Sequence, residues 1–366
     1  MSNSIGLYVH IPYCKSKCPY CDFYSGKGTE LEYDKYILML TEKIRLWSAK
    51  TEKTVSSIYF GGGTPSVLGA ERLSEILSAI KNTFSVNVDA EITTEVNPDT
   101  GKVIDFTLLK KSGFNRISIG MQSAIEKELK QLGRIHTADE AKITVERAKN
   151  AGIDNVSLDL MMGIPFQTEE SLKKSIDFCI ECGVTHISSY ILKIEEGTKF
   201  DSIKNSLILP DEDKQAELYL FAVDYLKKLG FEQYEISNFA KKGFESRHNI
   251  NYWKCGEYIG IGPSAHSFFN GDRFCYNKTM RDFENNITEF NCKGGTAEEF
   301  IMLTLRLKTG LDFKEFYKKY GVEISDDVKR KIKKYSDMGF MEMNNNRACF
   351  TPKGFLVSNT ILSDLI

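Results

Sequence analysis

Residues 8–25 read YVHIPYCKSKCPYCDFYS. Cys14, Cys18 and Cys21 fall within eight residues, spaced C-x3-C-x2-C. A closed structural zinc site takes four Cys or His ligands, and this segment offers three thiols. His10 is the nearest imidazole, but it lies in IGLYVHI, a strand candidate. Alternation along that strand puts His10 on the face that carries Tyr8. Two residues past Cys21, where a fourth cysteine could fall, the chain carries Phe23. Nine cysteines in all, three of them clustered, point to metal or catalysis in a reducing compartment rather than to disulfides.

Outward from this loop the first half alternates strand and helix. Strand candidates are IGLYVHI, VSSIYF, EITTEVNP, FNRISIGMQS, IDNVSLDLMMGIP and VTHISSYILKIE, with apolar-periodic helical segments between them. Such a series predicts a parallel sheet with right-handed crossovers, either open and doubly wound or a full or partial barrel. In both, ligands gather at the carboxyl ends of the strands. There the chain places the three cysteines, then Gly61-Gly62-Gly63-Thr64-Pro65, Glu95 and Asn97, Gln122, Asp159 and Tyr190. Past residue 205 the pattern changes. One long helix, DEDKQAELYLFAVDYLKKLGF, precedes an aromatic and glycine-rich stretch without a clean period. From about residue 296 the tail reads as a small helix–turn–helix with a β wing.

Charge is balanced, Lys+Arg 48 against Asp+Glu 50, which gives no basic field for nucleic acid. The N-terminus lacks signal-peptide character, and no apolar run reaches the ~18–20 residues that span a bilayer. A cytoplasmic protein is expected, with peripheral membrane contact left open. Three thiolates on one loop suit a four-iron cluster that leaves one iron free for an exogenous chelator.

On C14-x3-C18-x2-C21, with Tyr20 before the last cysteine and GGGTP about 40 residues on, the chain resembles the radical SAM superfamily. The resemblance implies a partial (β/α)6 barrel of TIM type, with a C-terminal α+β region that ends in the winged-helix-like tail. It implies a [4Fe-4S] cluster on Cys14, Cys18 and Cys21. It further implies S-adenosylmethionine held by Tyr8, Gly62, Gly63, Thr64, Glu95, Gln122, Arg134 and Asp159. In such proteins one electron passed from the reduced cluster to the sulfonium can split it into methionine and a 5′-deoxyadenosyl radical; the sequence leaves open whether the cofactor is cleaved here or only bound.

LYVHIPYCKSKCPYCDF further resembles the coproporphyrinogen dehydrogenase-like group, whose founding enzymes carry C-x3-C-x2-C-x-C. Phe23 in place of the fourth cysteine, and HNINYW at His248–Trp253, are similar to the HemW branch of haem chaperones. That likeness implies haem as a third cofactor, with His248 at the iron and Tyr252 and Trp253 against the porphyrin. His266, His136 and His186 are weaker candidates. The implied partners are haem and haem-accepting apo-proteins, respiratory membrane enzymes among them; a homodimer stays open. No catalytic residue is assigned. The alternatives are oxygen-independent oxidative decarboxylation of coproporphyrinogen III, which Phe23 disfavours, and RNA modification, which the charge balance disfavours. The expected domains are residues 1–205, the barrel; 206–295, an extension with the HNxxYW motif; and 296–366, the C-terminal domain. Cys179-x2-Cys182 reads as structural.

Overall fold

The computed structural model describes residues 3–366. Six parallel strands form as the alternation predicts: β1 (Ser4–Ile11), β2 (Thr54–Gly62), β3 (Val86–Val96), β4 (Arg116–Gln122), β5 (Asn155–Met162) and β6 (His186–Ile191). Each pairs with its neighbour in chain order. Ile5, Leu7, Val9 and Ile11 of β1 are wholly buried against the covering helices. Tyr8 and His10 therefore turn to the other face, which is the concave interior. Ser57 and Tyr59, Glu91 and Glu95, Arg116 and Ser118, Ser157 and Asp159, and His186 and Ser188 follow the same alternation. The interior is thus polar, whereas the outer face carries the apolar core.

The sheet continues past both edges of the six-strand unit and does not close through hydrogen bonds. Beside β6 lie β7 (Glu232–Gln233) and β8 (Asn238–Ala240), both antiparallel. Beside β1 lies β9 (Tyr258–Ile261), which pairs in parallel. The antiparallel strands β10 (His266–Phe269), β11 (Asp272–Tyr276) and β12 (Thr288–Lys293) follow it. The aperiodic stretch of the sequence therefore extends the main sheet. Its strands of two to six residues are too short to display a period.

The helix Glu30–Ser48 shows how the covering layer forms. Thr29 and Glu32 make a capping box at its start. Tyr33, Tyr36, Ile37, Leu40, Ile44 and Trp47 form its buried stripe. Tyr36 donates its hydroxyl to the His10 carbonyl at 2.5 Å, and Trp47 donates its indole N–H to the Tyr276 hydroxyl at 2.8 Å. One helix thereby ties β1 to β11.

The tail folds as a small helix–turn–helix with a β wing, as its sequence reads. Helices Phe313–Tyr320 and Asp326–Asp337 are separated by a left-handed Gly321 and a Ser325 cap. A three-stranded sheet of β13 (Leu311–Asp312), β14 (Met341–Met343) and β15 (Arg347–Phe350) supplies the wing. Among the described residues no helix is long and apolar enough to cross a membrane.

Candidate cluster and cofactor site

The cysteine loop leaves β1 at the carboxyl rim and is pinned at its base. Cys14 N–H donates to the Gly26 carbonyl at 2.8 Å, and Gly26 N–H to the Pro12 carbonyl at 3.0 Å. Cys21 N–H closes a turn on the Cys18 carbonyl. All nine cysteines are free thiols. Cys14, Cys18 and Cys21 border a cavity of about 150 Å³. Through Ser16, Lys17, Cys18 and Cys21 this cavity adjoins a larger open hollow. Among the described residues no group of three His, Cys, Asp or Glu side chains is placed to hold a single metal ion. The three thiols, the donors a [4Fe-4S] cluster takes, all border the one cavity. Burial pushes the Cys14 thiol up, and the Cys21 thiol up to about 11. Loading with metal must therefore displace protons from them.

Seven of the eight residues expected around S-adenosylmethionine line this same cavity: Gly62, Gly63, Thr64, Glu95, Gln122, Arg134 and Asp159. The glycines are demanded by protein packing. At Gly62, φ is +106°, and a Cβ would meet the His10 ring at 2.5 Å. At Gly63 a Cβ would meet the Tyr13 carbonyl oxygen at 2.5 Å. Gly63 N–H bonds the Ile11 carbonyl and Thr64 N–H the Tyr13 carbonyl, so this turn is sewn to the base of the cysteine loop. Thr64 Oγ1 donates to Cys14 Sγ at 3.4 Å. Gln122 sits at a bulge in the β4–β5 ladder with φ +72°, which aims its side chain into the cavity, where it accepts from the Tyr190 hydroxyl at 2.9 Å.

Tyr8 is the one not brought to the cavity wall. Its hydroxyl lies 3.0 Å from His10 Nδ1, and its ring stacks on Tyr59. His10 Nε2 donates to the Tyr24 carbonyl at 2.9 Å, so Nδ1 is the acceptor from Tyr8. Burial lowers His10 to about 4, which keeps it neutral. His10 braces the loop through backbone.

Arg134 is engaged by protein groups. Nη1 donates to Cys18 Sγ at 3.3 Å, and Nη2 to Asn97 Oδ1 at 2.8 Å and the Gly120 carbonyl at 2.6 Å. Its Nε is buried without a partner. Asn97, on the rim in the sequence but given no role there, joins Thr64 Oγ1 to Arg134. Asp159 accepts from Ser118 at 3.1 Å and Ser157 at 3.4 Å. Glu95 accepts from the Tyr59 hydroxyl at 2.8 Å, and burial lifts its carboxyl to about 7. Ser118 and Tyr59 were signalled in the sequence by period two alone: each lies two residues from an inward-facing neighbour.

His248 lies deeper in the interior, 1% exposed, on the helix Arg247–Trp253. Ser246 caps that helix, and the Glu91 carboxylate accepts the N–H groups of Arg247 and His248, both at 2.9 Å. His248 Nδ1 lies 2.8 Å from Ser57 Oγ, and Nε2 lies 2.7 Å from the Tyr252 hydroxyl. Burial, then the nearby Arg116 guanidinium, lowers it to about 3. His186 is likewise buried between Ser157 and Tyr234, and His136 donates to the Met121 carbonyl. His266 is exposed at the start of β10. Cys179 and Cys182 belong to the apolar core.

The radical SAM superfamily model matches residues 8–179, and the HemN C-terminal domain model matches residues 296–357. Fold and three-thiol loop thus define the class, one that implies a [4Fe-4S] cluster and S-adenosylmethionine. The curated protein "Heme chaperone HemW" of Lactococcus lactis is 34% identical over 98% of this chain and 96% of its own length. Its namesake in Bacillus subtilis is 32% identical over 97% of each chain. That of Escherichia coli is 41% identical over 72% of this chain and 69% of its own. The chain belongs to the HemW family. Among solved structures, the coproporphyrinogen III oxidase HemN of Escherichia coli, a radical SAM enzyme, shares the fold. Its TM-score is 0.84 at 20% identity, over 100% of this chain and 90% of that one.

Proposed function

We propose that the protein is a haem chaperone that carries a [4Fe-4S] cluster and S-adenosylmethionine and delivers haem to apo-proteins, respiratory membrane enzymes among them. The near full-length likeness to proteins named haem chaperones carries this reading. Cys14, Cys18 and Cys21 hold the cluster, which supplies one-electron chemistry to the sulfonium when bound. Gly62, Gly63 and Thr64 offer backbone and hydroxyl to the cofactor, and Glu95 and Asp159 offer carboxylates to its cationic and hydroxyl groups. Gln122 adds an amide fixed by Tyr190. Arg134 braces the rim and donates to the Cys18 sulfur. His248 would supply the imidazole that holds haem iron, through the Nε2 that here faces the Tyr252 hydroxyl. Residues 1–205 act as the cluster domain, 206–295 bring the haem ligand, and 296–366 form the C-terminal domain.

The test is anaerobic incubation of the reconstituted protein with coproporphyrinogen III, S-adenosylmethionine and reductant. No protoporphyrinogen is expected. Its accumulation would replace the chaperone reading with that of a decarboxylating enzyme.

Glu95 adds a pH dependence. Its carboxyl, raised to about 7 by burial, is protonated below that value and attracts a cation only above it. Affinity for S-adenosylmethionine should fall about tenfold per pH unit below 7 and level off above. Equilibrium dialysis from pH 5.5 to 8.5 measures this, and Glu95→Gln should flatten the profile at the weak end.

A further inference from the structure

Asn97 lies one hydrogen bond away from two groups that each touch a loop sulfur. It follows β3, and Pro98 after it favours the extended backbone it adopts, φ −88° and ψ 145°. Its N–H donates to Ser66 Oγ at 3.4 Å, and its carbonyl accepts the Gly101 N–H at 2.8 Å. At Gly120 a Cβ would lie 3.1 Å from Asn97 Oδ1, so β4 closes on the amide with bare backbone. Oδ1 accepts from Arg134 Nη2 at 2.8 Å, and Nδ2 donates to Thr64 Oγ1 at 3.1 Å. A guanidinium only donates, so the amide can face these two partners in this sense alone. Beyond it, Thr64 Oγ1 donates to Cys14 Sγ at 3.4 Å and Arg134 Nη1 to Cys18 Sγ at 3.3 Å.

We propose that Asn97 is a positioning residue: it turns the Thr64 hydroxyl and the Arg134 guanidinium onto the Cys14 and Cys18 sulfurs and so raises the reduction potential of the cluster those sulfurs hold. The inference rests on the reading of the loop thiols as cluster ligands. A hydroxyl has one proton. Because Thr64 accepts from the amide, its own proton is left for sulfur. Arg134, held at Nη2 by Asn97 and the Gly120 carbonyl, keeps Nη1 on Cys18. Donors at the sulfurs favour the more negative, reduced charge state. A carboxylate at position 97 would have no proton to give and would take the Thr64 proton away from Cys14.

Redox titration of the cluster-reconstituted protein without added S-adenosylmethionine, followed by visible absorption, tests this. In Asn97→Asp the ratio of reduced to oxidised cluster at a fixed applied potential should fall about tenfold, ~59 mV for one electron, with iron per chain unchanged. Thr64→Val, which removes the hydroxyl alone, should lower the ratio about threefold or more. An added negative charge would also lower the ratio, so the two changes are combined. With Thr64 already Val, Asn97→Asp should shift the ratio by less than half as much as it does in the wild type. No shift in either single variant, or an equal Asn97→Asp shift in both backgrounds, overturns the relay. Wild-type protein that takes up no iron on reconstitution overturns the cluster reading and the relay with it; about four irons per chain with equal potentials overturns the relay alone.

Discussion

Replacing Cys14, Cys18 or Cys21 by alanine should abolish the cluster. Iron per chain after anaerobic reconstitution should fall from about four to near zero, with loss of the brown absorption. Each thiol is one of three on a single loop whose base is fixed by the Cys14–Gly26 hydrogen bond and by the Gly63 and Thr64 bonds to β1 and its loop. Two thiolates leave a second iron open, and the cavity holds no further sulfur ligand, since the fourth position is Phe23, 59% exposed at its edge. Affinity for S-adenosylmethionine should fall about tenfold or more with the cluster, because the proposed site includes the iron that no cysteine holds. The fold should persist, as a small side chain at the cavity rim contributes little packing. Cys179→Ala gives the contrast. That thiol is wholly buried in the apolar core, so its loss should cost about 1 kcal/mol and leave iron content unchanged. A Cys18→Ala protein that keeps its brown colour would break the assignment.

Gly63→Ala should be the most damaging single methyl group at the site. The added Cβ would stand 2.5 Å from the Tyr13 carbonyl oxygen, 2.8 Å from that of Ile11 and 2.9 Å from Tyr13 N. All three are backbone atoms, so no side chain can rotate away. Relief requires β2 to part from β1, which breaks the Gly63 and Thr64 hydrogen bonds and shifts Cys14. We expect a loss of about 3 kcal/mol in chemical denaturation and incomplete cluster loading. At Gly26, in the same loop, a Cβ meets nothing within 4 Å, so Gly26→Ala should leave both nearly unchanged. Equal behaviour of the two variants would contradict the packing argument.

Much of the barrel was legible because its signals are local. Ile5, Leu7, Val9 and Ile11 repeat every second residue, so β1 and its inward Tyr8 and His10 could be read without partners. The gathering of Gly62, Gly63, Thr64, Glu95, Gln122 and Asp159 around one cavity was legible because all lie at or just past strand carboxyl ends. Non-local facts were hidden. The pairing of Gly6–Val9 with Tyr258–Ile261 joins segments about 250 residues apart, and four residues of β9 carry too little pattern to announce it. Arg116 occupies an inward position, but only the folded chain shows it beside Glu95, Asp159 and His248. Tyr8 lies on the inward face that alternation predicts, and its contacts with His10 and Tyr59, outside the cavity lining, are fixed only in the folded chain. The engagement of Arg134 with Asn97 and Cys18 likewise depends on a loop and a strand end that the chain brings together only in three dimensions.

The haem-carrying role is tested most directly by anaerobic titration of haem into the cluster-reconstituted protein, followed at the Soret band. Saturation is predicted at one haem per chain, with affinity lowered about tenfold or more in His248→Ala, as the proposed role of His248 as iron ligand requires. Titration that never saturates, or equal uptake by the His248→Ala protein, would contradict it.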